Sequence, residues 1–218
     1  ITVNTGVLNA DGTLVSDVSG FREWTPIGRG DFSYNGIFNG QGHTISGLYF
    51  KLNNPYDSKG NYVGFFGCTG RNSKISNVGI VDSYFCGNKW VGGVCGAKYG
   101  AMENCYSAST VSGTESVGGV CGNNFNGKLL NCYNTGAVIG TGWYIGGVCG
   151  IVNNGGTIQN CYSTGTVGGS SDSSVGGVCG MNNRSGTISN CYFDSEKCDK
   201  DAIGTNNGTA TKVEGKTT

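Results

Sequence analysis

The hexapeptide Val-Gly-Gly-Val-Cys-Gly begins at Val91, Val117 and Val175, and recurs as Ile-Gly-Gly-Val-Cys-Gly from Ile145. Each copy is followed by Asn-Cys-Tyr, beginning at Asn104, Asn131, Asn160 and Asn190. Two weaker copies come first. Tyr62-Val-Gly-Phe-Phe-Gly67 leads to Asn77-Val78-Gly79, and Tyr34-Asn-Gly-Ile-Phe-Asn39 leads to the stretch from His43 to Phe50. In this alignment the first glycines are Gly36, Gly64, Gly92, Gly118, Gly146 and Gly176, spaced 28, 28, 26, 28 and 30 residues. Self-similarity at such a period marks a repeat architecture. Six units fill residues 32 to 193, with 1–31 and 194–218 as terminal caps of a single domain.

The units read as strands and turns. Their apolar stretches are short, rich in Val, Ile, Tyr and Cys, and separated by Gly, Asn and Ser, without the i, i+3, i+4, i+7 spacing of an amphipathic helix. One unit cannot bury its own apolar face, so units must stack. The period suits one turn of a β-solenoid, an all-β fold of about six turns. Stacking converts equivalent residues into ladders ~4.8 Å apart along the axis. Asn77, Asn104, Asn131, Asn160 and Asn190 form an amide ladder at a bend. Leu48, Val78, Cys105, Cys132, Cys161 and Cys191 face inward. Tyr49, Tyr106, Tyr133, Tyr162 and Tyr192 face outward. Tyr34, Tyr62, Trp90 and Tyr144 make a fourth column, interrupted at Ser116 and Ser174.

These residues resemble the GLUG repeat of bacterial surface proteins. The stretches Trp24-Thr-Pro-Ile-Gly28 and Gly36 to Gly47 resemble the segment that introduces such repeats, and the tail from Cys191 to Glu196 and from Val213 to Thr218 resembles the segment that closes them. The resemblance implies a right-handed parallel β-helix, displayed extracellularly at the cell surface as a monomeric module of a longer chain. Such repeats also accompany the catalytic parts of some IgA-specific metallopeptidases without being the catalyst. The implied role is that of a non-enzymatic adhesin, recognition scaffold or spacer, with no catalytic residues to carry over and a host glycan or surface protein as partner.

Composition narrows the chemistry. Fourteen Lys+Arg against fourteen Asp+Glu give no net charge, so the field that draws proteins to phosphates is missing and nucleic-acid binding is not expected. No apolar run approaches the ~20 residues of a membrane helix. With one histidine, His43, a Ser-His-Asp triad has little basis. Residues 62 to 193 carry the acids Asp82, Glu103, Glu115 and Asp172, no two in one repeat column, against the converging carboxylates of a polysaccharide-degrading β-helix. Thr110, Thr135 and Thr164 lack the second rank of an ice-binding surface.

Eleven cysteines leave at least one unpaired within a monomer. Units with Cys in one column also have it in the other, which favours bridges joining Cys95 to Cys105, Cys121 to Cys132, Cys149 to Cys161 and Cys179 to Cys191. Each would contribute about 3 kcal/mol by loop-closure entropy. The alternative is that they are buried thiols filling a narrow core. Cys68, Cys86 and Cys198 lie outside the ladders, with Cys198 expected to be exposed. Zinc lacks its CxxC spacing, and the acidic tail of Asp194, Glu196, Asp199 and Asp201 reads as a solvated cap rather than a calcium site. No metal or cofactor is expected. Tyr106, Tyr133, Tyr162 and Tyr192 are the candidate ligand-binding residues, as a carbohydrate platform or, more simply, as stacked rings that stabilise the sheet.

Overall fold

A computed structural model of the chain describes residues 1–54, 57–170 and 174–217. Among these residues there is no α-helix, and apart from one 3-10 turn at Ser58–Gly60 the regular structure is β. The named strands pair in parallel, in one large sheet of short strands and one six-stranded sheet. In the smaller sheet Phe66–Thr69, Cys95–Lys98, Cys121–Phe125, Cys149–Asn153, Cys179–Asn182 and Ile203–Asn206 lie side by side in chain order. Those six strands enclose five complete turns, so the fold is the parallel β-solenoid that the repeat predicts.

Register is strict because each core position recurs once per turn. Ile75, Met102, Leu129, Ile158 and Ile188 stack across five turns and are fully buried. Val63, Val91, Val117, Ile145 and Val175 stack in the same way at the next corner, all buried. Full burial of such a side chain contributes about 1.5–3 kcal/mol. A single turn offers too few of them to fold alone.

The glycine columns make the corners close enough to stack. A Cβ placed on Gly118 would lie 2.2 Å from the Cys121 carbonyl oxygen and 2.7 Å from the Cys149 Cα, and at Gly146 the Cys149 oxygen would be 2.1 Å away. These glycines keep negative φ, so they are required by close approach rather than by a left-handed turn.

The weak first unit stacks differently from its motif alignment. Ile37–Asn39 pairs with Lys74–Ser76, Thr44–Ser46 with Gly79 to Val81, and Tyr49–Lys51 with Tyr84 to Cys86. Gly36 therefore does not join the Gly64 column. Tyr49 stacks on Tyr84, with centroids 6.4 Å apart, instead of extending the Tyr106 ladder. The cause is aromatic packing: Phe38 takes the place of Ile75 one turn earlier and sits edge-on to Phe65 and Phe66. The turn opposite Phe66 begins at Ile27.

At the other end, Ile203–Asn206 and Thr209–Lys216 add a further rung to the two sheets. The outer edge carries Lys212, Glu214 and Lys216, the last two ion-paired at 2.9 Å, and charge on an exposed edge opposes strand addition.

Close approach at the Gly corner leads to a paired prediction. Gly118→Ala should lower stability by about 3 kcal/mol, the upper end of overpacking costs. Gly168→Ala, where no atom lies within 4 Å of the new Cβ, should be nearly neutral. Urea midpoints of the two variants provide the comparison.

Candidate recognition surface

The Asn-Cys-Tyr tripeptide turns the chain and points three side chains in different directions. The asparagines at 77, 104, 131, 160 and 190 have φ between 51° and 56°, a left-handed conformation that asparagine tolerates better than most residues. Each donates its amide to the asparagine one turn back: Asn104 to Asn77 at 3.1 Å, Asn131 to Asn104 at 3.2 Å, Asn160 to Asn131 at 3.2 Å and Asn190 to Asn160 at 3.4 Å. Asn77 donates to Asn39 at 3.0 Å. On the last rung Lys212 adopts the same conformation, with φ 53°.

The next residue points inward, where Cys105, Cys132, Cys161 and Cys191 are buried. The one after points out. Tyr106 and Tyr133 stack with centroids 4.8 Å apart and planes within 1°, and Tyr133 and Tyr162 follow at 4.9 Å and 2°. Tyr192 continues the register, and Lys216 Nζ lies 5.7 Å from its ring centroid. At the opposite end the Tyr106 ring lies over Gly79. The stack therefore turns ring faces to one another and presents edges and hydroxyls to water, with Tyr162 the most open of its rings at 41% exposure. Burial pushes the Tyr133 phenol up, and Tyr106 and Tyr162 add to the effect.

In the aromatic column before the first Gly, Tyr62, Trp90, Ser116 and Tyr144 all have φ between 57° and 62°. Tyr62 and Trp90 pack at 4.6 Å, whereas Tyr34 packs on Phe66 at 5.0 Å.

Of the two readings of the ladder cysteines, bridges within a unit and buried thiols, the structure has the second. All eleven cysteines are free thiols. Cys95, Cys121, Cys149 and Cys179 pair in register along the six-stranded sheet, and each bonds the carbonyl two residues later, at 3.2–3.3 Å. Cys105, Cys132, Cys161 and Cys191 bond the carbonyl two residues earlier, at 3.1–3.3 Å. The thiols of a unit are thus committed to separate strands, each beside its own copies on neighbouring turns. Cys198, expected to be exposed, is also buried, at 4% exposure.

Burial pushes the Cys68 thiol up to about 11, and Cys161 to about 12. Burial also acts on Cys121, but hydrogen bonds from Cys149 and Cys95, together with the Lys98 ammonium, hold it well below the ordinary range. Lys98 is itself fully buried, with Nζ donating to the carbonyls of Gly100 at 2.8 Å and Lys128 at 3.0 Å. Burial pushes its ammonium down, and the neighbouring thiols oppose that shift.

The acids go to separate partners. Glu103 pairs with Lys74 at 3.1 Å and Glu115 with Lys89 at 2.7 Å. Asp82 accepts from the Leu8 amide at 2.9 Å, Asp194 from the Glu196 amide at 2.9 Å, and Asp199 pairs with Lys200 at 3.2 Å. Asp172 lies outside the described residues.

Sequence patterning misses Lys98 and Trp143. Lysine ordinarily reads as a surface residue, and nothing in the motif marks position 98. Trp143 does carry a signal, because Gly140-Thr-Gly-Trp143 is one residue longer than the corresponding Gly113-Thr-Glu115. Its ring is 58% exposed.

Stacked, in-register turns with Asn, Cys and Tyr ladders define a parallel β-solenoid of the repeat class. The model of the GLUG motif matches two of these repeats, at residues 113–139 and 141–168. The chain is similar to halomucin of Haloquadratum walsbyi, 34% identical over 117 residues that make up 53% of this chain and 1% of halomucin. It is also similar to a protein of Evansella cellulosilytica named as a Gly-rich membrane protein, 31% identical over 84 residues, 37% of this chain and 9% of the other. The chain thus spans only a small part of either relative. In fold it is similar to a Bacteroides ovatus crystal structure that carries the name of an immunoglobulin A1 protease, with a TM-score of 0.55 and 24% identity, covering 91% of this chain and 74% of that one.

Two predictions follow from the ladders. Asn131→Ala removes two amide bonds and puts a Cβ-bearing residue without a compensating side-chain bond at φ 52°, for an expected loss of about 2–3 kcal/mol. Asn131→Gly should recover about 1 kcal/mol of that, because glycine accepts the conformation. Chemical denaturation of both variants separates the backbone and amide contributions.

For the thiols, denaturation without reductant should expose eleven labelling sites. The folded chain should also lose stability as pH rises past 9. A thiol that ionises at 9.0 when unfolded, but only at about 11 or about 12 when folded, holds its proton more tightly in the fold. Its contribution is intact below pH 9 and is lost as pH climbs through the folded value. Lys98, Cys121 and Cys191, whose pKa values are lowered, act in the opposite sense, but the thiols whose values are raised outnumber them. Urea midpoints at about pH 8 and about pH 10.5 should differ, and less so in Cys161→Ala.

Proposed function

We propose that the chain is a non-enzymatic extracellular module of a surface protein, a stiff scaffold or spacer that serves adhesion. The observation that carries this is the unbroken register of the smaller sheet, from Phe66 through Cys95, Cys121, Cys149 and Cys179 to Ile203. Such a stack transmits load along its axis through backbone hydrogen bonds. The match to the GLUG motif and the likeness to halomucin and to a named membrane protein support surface display. The carboxylates of Asp82, Glu103, Glu115 and Asp199, held by separate lysines or amides, support a scaffold over a catalyst.

Here the Tyr ladder is a stabilising element, since Tyr106, Tyr133 and Tyr162 stack face to face. The competing role, carbohydrate binding along Tyr106, Tyr133, Tyr162 and Tyr192, draws on the exposed edge of Tyr162.

One set of measurements tests both. The purified chain, incubated with a polysaccharide panel and with immunoglobulin A1, should release no new reducing ends and no fragments. The double variant Tyr133→Ala, Tyr162→Ala should lose about 2 kcal/mol of stability through lost stacking and area while keeping any glycan-array signal. Turnover on either substrate overturns the scaffold function. Loss of a glycan signal from a variant that remains folded would place the ligand on the ladder.

A further inference from the structure

The repeat is interrupted where Gly113 pairs with Gly140 but Glu115 pairs with Trp143, which leaves an extra residue on the later turn. Such a bulge re-aims the side chain beside it. On the two preceding turns the corresponding residues are Lys89 and Glu115, joined by an ion pair of 2.7 Å. On this turn the position holds an indole. Trp24 is packed on Phe65 and Trp90 on Tyr62, whereas Trp143 is 58% exposed.

Beside it lies a cleft of about 700 Å³, lined among others by Trp143, Tyr144, Ser174, Met181, Lys200 and Thr205. Its size falls within the range of about 300–1,000 Å³ usual for small-ligand clefts. Its polar groups are directional. Ser174 Oγ donates to the Gly180 carbonyl at 2.8 Å and lies 2.6 Å from Thr205 Oγ1. With the serine proton committed to Gly180, the threonine hydroxyl donates to the serine. Lone pairs on Thr205 Oγ1 are left to accept from a ligand. Lys200, held by Asp199 at 3.2 Å, keeps further N–H donors. An exposed indole, an acceptor hydroxyl and an ammonium donor around one cleft match the two sides of a pyranose, a C–H-rich face and a rim of hydroxyls that both donate and accept.

We infer that this cleft is a saccharide-binding site with Trp143 as its stacking platform. Trp143 is 58% exposed, whereas Tyr106, Tyr133 and Tyr162 already stack on one another. The site adds a ligand to the surface scaffold without depending on it. Stiffness, display and absence of turnover are measured separately.

The test uses the whole chain and five soluble probes: hexasaccharides of glucose, xylose, galactose and N-acetylglucosamine, and an oligouronate. Binding is followed by calorimetry and tryptophan fluorescence. The expected result is saturable binding of at least one probe, weakened at least tenfold in Trp143→Ala and partly restored in Trp143→Phe, with the double variant Tyr133→Ala, Tyr162→Ala unaffected. Thr205→Val should also weaken binding, and it serves as the second variant should Trp143→Ala shift the urea midpoint. Failure of all five probes to bind, or undiminished binding by folded Trp143→Ala and Thr205→Val, overturns the assignment.

Discussion

Parallel backbone hydrogen bonding between successive turns sets a spacing of ~4.8 Å, and every side-chain column must live with that distance. Tyrosine rings meet it by lying flat on one another, at 4.8 and 4.9 Å. Asparagine amides meet it by each donating to the copy one turn back. Charges meet it only with an opposite sign one turn away, as in Lys89 and Glu115 or the diagonal Lys74 and Glu103. A column of like charges would repel at every rung, which is one reason the acids are scattered.

Five turns of Ile, Leu and Met fill one wall, and the remaining volume suits Val, Cys and Ser. The abundance of glycine belongs to this geometry, because at Gly118 and Gly146 the neighbouring turn occupies the space a Cβ would need. The scarcity of proline does too, since each would remove a donor from the ladder.

The solenoid and its Asn, Cys and Tyr columns were legible because four nearly identical copies repeat the same tripeptide. The first turn was not, since Phe38 carries no motif and takes its register from contacts with Phe65 and Phe66 that only the folded chain brings together. The sequence left bridges and buried thiols open for a related reason. Co-occurrence of two cysteines in a unit reports only that both positions are buried, and in-register stacking places each beside its copy on the next turn. Burial of Lys98 was hidden because its stabilising partners are backbone carbonyls, of Gly100 and Lys128, which leave no trace in side-chain identity.

A regular ladder also consumes its own binding capacity. The Asn-Cys-Tyr asparagines donate to their copies, Tyr106, Tyr133 and Tyr162 stack on one another, and the column thiols bond their own strands, so a regular repeat has little left to offer a ligand. Recognition then belongs where the period fails. The clearest failure on the described surface is the extra residue before Trp143, which replaces an ion-pair column with an exposed indole. That insertion sits between turns that keep their register, Val117 against Ile145 and Ile145 against Val175, so the scaffold fixes the strand that carries the indole while the residue stays 58% exposed.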